Sequence, residues 1–288
     1  MKHTAGSSLN VMPLPPAADA AKLFQEYLDA TSLAPNTVLA YSSSVRQFFR
    51  LYKEITPDTL HLYKAYLMEH YRPQTVNLRI RAVNSYIECF HLPVSRLADN
   101  VLRIQQKLYA EHVISEADYE YLKSRFIQDE KYVYYFIVRY MAATGVRVGE
   151  LLKIQAEDVA KGYKDLISKG GKSRRIYIPK KLQEATFQWL DALGIKKGPF
   201  FLNQNGLPIT AGGIRSQLKH AAAIYGLDPA VVYPHSFRHR FAKSFIERCP
   251  DIAFLSDLLG HESLETTRIY LRRTSTEQQQ IVNKIVNW

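Results

Sequence analysis

Cysteine is scarce: the 288 residues contain two, Cys89 and Cys249, isolated from one another in the chain. No disulfide framework and no cysteine-built zinc finger can be assembled from that pair, and a reducing compartment, the cytoplasm, is expected. Long apolar runs are missing as well. Nothing approaches the roughly 20 residues of a membrane helix, and the N-terminus lacks the apolar stretch of a signal peptide, so no membrane partner is expected. Acidic residues are in short supply, 27 against 38 Lys plus Arg, for a net charge of +11 and a pI near 9.5. Such an excess favours a polyanionic partner, nucleic acid first, because each phosphate contact releases condensed counterions.

Familiar cofactor and metal motifs fail on spacing. Gly171-Lys172-Ser173 resembles the end of a phosphate-binding P-loop, but position 166, where the first glycine belongs, is Leu. His235 and His239 are four apart like a zinc pair, yet His235 is followed by Ser236 and not by the glutamate that would act as base. No set of carboxylates has metal-ligand spacing. No cofactor and no metal are expected. With 47% hydrophobic residues the chain still buries a sizeable core, in one large domain or two ordinary ones.

The first 17 residues show no period and read as a flexible tail. From there to about 95 the spacing predicts four short helices. The first carries Ala21, Phe24, Tyr27 and Leu28 on one face, and the second is expected to be capped by Asn36. The third has Pro57 in its first turn, and the fourth, after Pro73, carries Val76, Ile80, Val83, Tyr86 and Ile87. Residues 96–112 read as a linker. The remainder, 113–288, opens with Ser115 as an N-cap and Asp118 three residues on. It reads helical apart from one hairpin, 164–168 with 175–178, around a glycine turn at Lys169-Gly170-Gly171-Lys172; Val159 to Gly162 is read as the turn leaving an earlier short strand. The fold class is thus mainly α with a small β-sheet. Residues 1–112 hold 12 basic and 9 acidic side chains, net +3, and residues 113–288 hold 26 and 18, net +8.

What stands out is a series of basic groups and one late tyrosine. Arg147 sits in Ala143-Thr144-Gly145-Val146-Arg147-Val148-Gly149-Glu150-Leu151, close enough to Glu150 for its guanidinium to be pinned. Lys169 lies at the hairpin with Lys172, Arg174 and Arg175. His235 and Arg238 share a helix face in Pro234-His235-Ser236-Phe237-Arg238-His239, while Phe237 and Phe241 share another. Gly260 is placed to cap a helix and set His261 at a turn, and Tyr270 follows nine residues later.

In order and spacing these residues resemble the catalytic domain of the tyrosine recombinases, the phage integrase family. The matching motifs are ATGxRxxEL at Arg147, the hairpin lysine, HxxRH at His235 and Arg238, LGH at His261, and Tyr270. The resemblance covers about 113–288 strongly. It extends to APNTVLAYSSSVRQFF and RPQTVNLRIRAVNSY, which look like the family's helical core-binding domain, here 18–95. It implies a site-specific DNA recombinase, with double-stranded DNA as partner and a 3′-phosphotyrosyl intermediate on Tyr270.

The residue set suits phosphodiester transfer without metal or ATP. Two arginines can clamp the charge of a pentavalent transition state. A tyrosine with a pKa near 10 needs a cationic field or a base before it attacks. On this reading Arg147 and Arg238 stabilise the transition state and His261 donates to it. His235 accepts the tyrosine's proton or orients the hydroxyl. Lys169 protonates the leaving 5′-oxygen, with Lys172 left open because it shares the turn. DNA contacts are expected from Arg72, Arg79 and Arg81 on the fourth helix, from Lys172 and Arg174 at the hairpin, and from Arg215 and Lys219, at i and i+4 of a helix over 210–223.

The amphipathic end, Ile281, Val282, Ile285, Val286 and Trp288, resembles the family's docking tails and implies a homotetramer on synapsed DNA from a mostly monomeric free protein. Accessory or directionality proteins would be further partners, and the nucleoid the place of action. With only a short tail ahead of residue 18, the chain looks like a two-domain recombinase of the Xer, invertase or mobile-element type without an arm-binding domain. The alternatives are a type IB topoisomerase-like enzyme, which rejoins the strand it cut, and a regulator that keeps the fold without the chemistry.

Overall fold

The computed structural model describes residues 17–98, 112–167, 173–261, 263–271, 279 and 282–286. The chain divides into two compact units, Met1–Gln106 and Lys107–Trp288. Among the described residues the first unit has four helices: α1 (Ala17–Ala30), α2 (Pro35–Leu51), α3 (Pro57–His70) and α4 (Pro73–Cys89). Each of the last three begins with proline, whose preset φ and missing N–H suit a first helical position. Pro35 therefore starts α2, with Ala34 as its N-cap; Asn36 lies inside the first turn and does not cap it. The Thr56 side chain accepts from the Thr59 N–H, and Thr59 returns the bond, so α3 has a reciprocal cap.

Two apolar clusters fill this unit. Phe48 of α2 meets Leu60, Tyr63 and Leu67 of α3 and Val76, Ile80, Val83 and Ile87 of α4. Phe24 and Leu28 of α1 pack with Val38, Val45, Ala82 and Tyr86. The three- and four-residue spacing visible in the chain is the spacing of these buried faces.

The second unit contains α5 (Glu116–Gln128), α6 (Tyr132–Thr144), α7 (Val148–Leu151), α8 (Ala156–Lys161), β1 (Tyr163–Ile167), β2 (Ser173–Tyr177), α9 (Lys180–Ala192), α10 (Ala211–Ile224), α11 (Pro234–Arg248), α12 (Ile252–Leu259) and α13 (Leu264–Arg268). Ser115 caps α5 by accepting from the Asp118 N–H at 3.0 Å. The strands form a two-stranded antiparallel sheet in which Tyr163 faces Tyr177 and Ile167 faces Ser173. The segment read as a turn after an earlier strand is instead the end of helix α8. Gly162, at φ 80°, caps that helix in the left-handed region and turns the chain into β1.

The large core joins Tyr140 and Met141 of α6, Leu151 of α7, Ile176 of β2, Leu218 of α10 and Phe237 of α11. A smaller one, Ala242, Ile246, Leu255 and Leu259, holds α12 against α11. Buried Ser236 accepts the Ile114 N–H at 2.8 Å and so fixes α11 against the start of α5. Among the described residues no helix is long and apolar enough to cross a membrane.

Candidate active site

Gly145 ends α6 at φ 64°. A Cβ there would lie 2.5 Å from Phe241 Cδ1, so both the backbone angle and the space require glycine. The reversal places Arg147 at the head of α7. Its backbone N–H donates to Glu150 Oε2 at 2.8 Å, and its Nη1 donates to Oε1 at 2.9 Å. Its Nη2 donates to the Gly260 carbonyl at 3.1 Å, and 39% of the side chain remains exposed.

Arg238, on α11, is only 3% exposed. It donates to the Gly145 carbonyl at 2.5 Å and to the Leu259 carbonyl at 2.7 Å. Arg174 enters from β2, with its side chain 7% exposed, and donates to the Leu258 carbonyl and to Glu150. The three last carbonyls of α12, Leu258, Leu259 and Gly260, therefore each take a guanidinium from a different element. Those carbonyls have no partner within the helix and carry the negative end of its dipole, which makes the helix end a natural receptor for cations. Gly260, at φ 61°, is crowded by the Arg174 side chain, whose Nε lies 2.6 Å from where a Cβ would stand.

Glu150 joins Arg147 to Arg174. Burial alone would raise its pKa, but the Arg147 N–H and the Arg174 and Arg147 guanidinia outweigh that and hold the carboxyl below its ordinary range. Arg238 is drawn down to about 10 by burial and by the like charges of Arg147 and Arg174, and it stays protonated at neutral pH. Next to the glycine cap, His261 pairs through Nδ1 with the buried Thr267 hydroxyl at 2.8 Å, which leaves Nε2 for another partner. Burial and then the three arginines push His261 down to about 4, so its ring is neutral near pH 7.

Tyr270 follows α13 and packs against the small α11–α12 core. Burial raises its phenol to about 12, Arg238 acting in the opposite direction. The hydroxyl lies 2.6 Å from His239 Nδ1. This corrects the expectation that His235 is the histidine at the phenol. His235 and His239 are one turn apart on α11 with ring centroids separated by 6.3 Å, and the groups acting on His235 are Arg238, Arg147 and Arg215. His239 is thus a site residue that the sequence reading passed over. It stands inside the HxxRH segment, and the i, i+4 spacing to His235 was the available signal.

Of the remaining expected residues, Lys169 and Lys172 lie outside the described residues. Arg174, expected to face DNA, is turned inward to Glu150 and the end of α12, because a buried carboxylate and unpaired carbonyls hold a guanidinium better than solvent does. Arg215 and Lys219 are exposed on α10. Arg72 is the exposed N-cap of α4 and Arg81 is exposed on its surface. Arg79 is half-buried, its guanidinium 4.0 Å from the centre of the Tyr71 ring. Arg79 and Arg81 belong to the first unit, and the cluster of Arg147, Arg174, Arg238, His261 and Tyr270 belongs to the second. Among the described residues no group of three or more His, Cys, Asp or Glu gathers as a metal site would require.

Residues 112–277, more than half of the chain, match the model of the phage integrase family. The chain belongs to that family. Among this recombinase's relatives, tyrosine recombinase XerA of Pyrococcus furiosus is 27% identical over 271 residues, 91% of this chain and 92% of that protein. A tyrosine recombinase of Agathobacter rectalis is 30% identical over 159 residues, a match that spans 51% of this chain and half of that relative's length. Similar solved structures include XerA recombinase, with a TM-score of 0.52 at 24% identity over 95% of this chain and 100% of the other. XerH bound to its difH substrate has a TM-score of 0.66 at 15% identity over 93% and 95%. A lambda integrase dimer bound to a core site has a TM-score of 0.68 at 16% identity over 89% and 77%. These structural likenesses show the fold.

Proposed function

We propose that this recombinase cuts and rejoins double-stranded DNA at specific sites through a covalent 3′-phosphotyrosyl link on Tyr270. The observation that carries the reading is the convergence of Arg147, Arg238 and His261 on one helix end, with Tyr270 packed beside them. Two guanidinia supply the charge that metal ions supply in other phosphoryl-transfer sites, so the reaction needs neither metal nor ATP. Tyr270 attacks phosphorus in line and the 5′-oxygen leaves. Arg147 and Arg238 hold the nonbridging oxygens, and His261 donates from Nε2. Lys169 protonates the leaving oxygen, with Lys172 of the same turn as the other candidate. Attack by a 5′-hydroxyl of a second duplex turns cleavage into exchange.

DNA contacts fall to Arg72, Arg79 and Arg81 in the first unit and to Lys172, Arg215 and Lys219 in the second. XerH is described bound to its difH substrate, lambda integrase bound to a core site and the Tn1549 transposon integrase in complex with transposon right end DNA, which supports DNA as the partner class here, and with it a place of action at the nucleoid. Assembly into a tetramer on DNA is supported by the chain end, where Val282, Ile285 and Val286 are 50%, 60% and 44% exposed. A pocket of about 230 Å³ lined by Ile176, Tyr177, Phe241, Phe245, Phe254 and Leu258 offers an apolar surface for the chain end of a neighbouring copy to dock on.

The test uses a nicked suicide duplex bearing a site selected by wild-type protein from a randomised pool. Wild type is expected to give a covalent protein–DNA band on a denaturing gel, and Tyr270→Phe none. Specific binding by both proteins without a band from either would replace this reading with a binding protein of the same fold.

A further inference from the structure

We propose that His239, and not His235, receives the phenolic proton of Tyr270, so that α11 carries two histidines with separate duties one turn apart. The proposal rests on the phosphotyrosyl reading above. Its basis is geometric: Tyr270 Oη and His239 Nδ1 are 2.6 Å apart, within the range for direct proton transfer. The rings are 5.6 Å apart between centroids, and Tyr270 is anchored by its packing on α11 and α12.

The titratable groups facing His239 are Tyr270, His235, Arg238 and His261. Burial, His235 and Arg238 together push it down to about 4, so it is neutral near pH 7. With its proton on Nε2, the ring offers Nδ1 as acceptor to the phenolic O–H. His235 is acted on by Arg238, Arg147 and Arg215, whereas Arg238 alone of the arginines acts on His239. The phenol is in contact with His239.

The step balances. The Oη–P bond forms as the P–O5′ bond breaks. The phenolic proton passes from Oη to His239 Nδ1, and the departing 5′-oxygen takes a proton from the hairpin lysine. Rejoining reverses both transfers, and His239 returns its proton to the phenolate as it leaves phosphorus. A base one bond from the nucleophile matters here because burial has made the phenol harder to ionise than in water.

The experiment measures single-turnover cleavage of the selected suicide duplex in two forms, with an ordinary 5′-oxygen or a 5′-bridging sulfur at the scissile phosphate. Sulfur leaves without protonation, so a defect that persists with sulfur lies on the nucleophile's side. His239→Ala and His239→Gln should each slow cleavage of both duplexes by about 100-fold or more near neutral pH, with unchanged affinity for DNA. Their rates should climb about tenfold per pH unit, since the phenol must then ionise to solvent, whereas His235→Ala keeps the shallower wild-type profile. His239→Gln retains a polar group of similar reach, so cleavage within about threefold of wild type would reduce His239 to a spacer and overturn the proposal. A His239→Ala defect confined to the oxygen duplex, or the steep profile appearing in His235→Ala, would overturn it as well. If wild type gives no covalent product from either duplex, the phosphotyrosyl reading itself falls and the proposal falls with it.

Discussion

Arg174 shows how a charged side chain can tie separate elements together from inside the fold. It spans β2 and the end of α12 and shares Glu150 with Arg147. Arg174→Ala would leave two helix-end and carboxylate acceptors short of a donor, at a cost of about 2–4 kcal/mol in urea unfolding of the second unit. Arg174→Lys keeps the charge but cannot make both bonds with the same planar geometry, so it should recover less than half of that loss. Covalent-complex formation should fall in parallel, because Arg147 loses the partner that steadies Glu150. The neutral histidines give a second expectation. His239 and His261 both titrate near 4 in the folded chain, against an ordinary value of about 6.5. Protonation is thus disfavoured by folding, and their contribution is intact above about pH 6.5 and lost progressively as pH falls towards 4. Thermal midpoints followed over that window should drop for wild type and flatten for the double variant His239→Gln/His261→Asn.

At the scale of elements, caps and breaks were the legible part. Thr56-Pro57 and Ser115 to Asp118 behave as their chemistry dictates, and Thr56→Ala should lower the first unit's stability by about 1 kcal/mol in chemical denaturation without altering the second. The hairpin was legible from its glycine turn and β-branched or aromatic residues, and Asp165 opposite Arg175 fixes its register with bonds of 2.7 and 2.9 Å. Where two readings compete locally, the chain alone misled. Ala156–Lys161 is short enough to pass for strand and turn, and it becomes a helix because Ala156 and Val159 are drawn into the core and Asp158 accepts the Gln155 N–H. Asn36 has the side chain of a cap, yet Pro35 before it starts the helix sooner and leaves Asn36 in the first turn.

For the whole molecule, charge and modularity set the expectations. Among the described residues each unit, Met1–Gln106 and Lys107–Trp288, has apolar clusters of its own. Residues 112–288 expressed alone should therefore unfold cooperatively, with a midpoint close to that of the same unit in the full chain. The net charge of +11 lies mostly in the second unit, so most of the salt dependence of DNA binding should remain with that fragment. Its affinity should still fall steeply with salt, with a log–log slope about 0.9 per phosphate neutralised, and the Arg215→Ala/Lys219→Ala variant should lower that slope by about 2.

The amino-acid order by itself carried the helical class and the division into two units, because periodicity and caps are local properties, and it singled out Arg147, Arg238, His261 and Tyr270 through their likeness in order and spacing to the phage integrase family. The tertiary structure alone decided which groups touch. The arginines converge on Leu258, Leu259 and Gly260 only after three elements have packed around the end of α12. Arg174 turns inward for the same reason. The choice of His239 over His235 at Tyr270 depends on how α11 is rotated against the segment after α13, a packing angle set by the buried side chains of both and written in no single stretch of the chain.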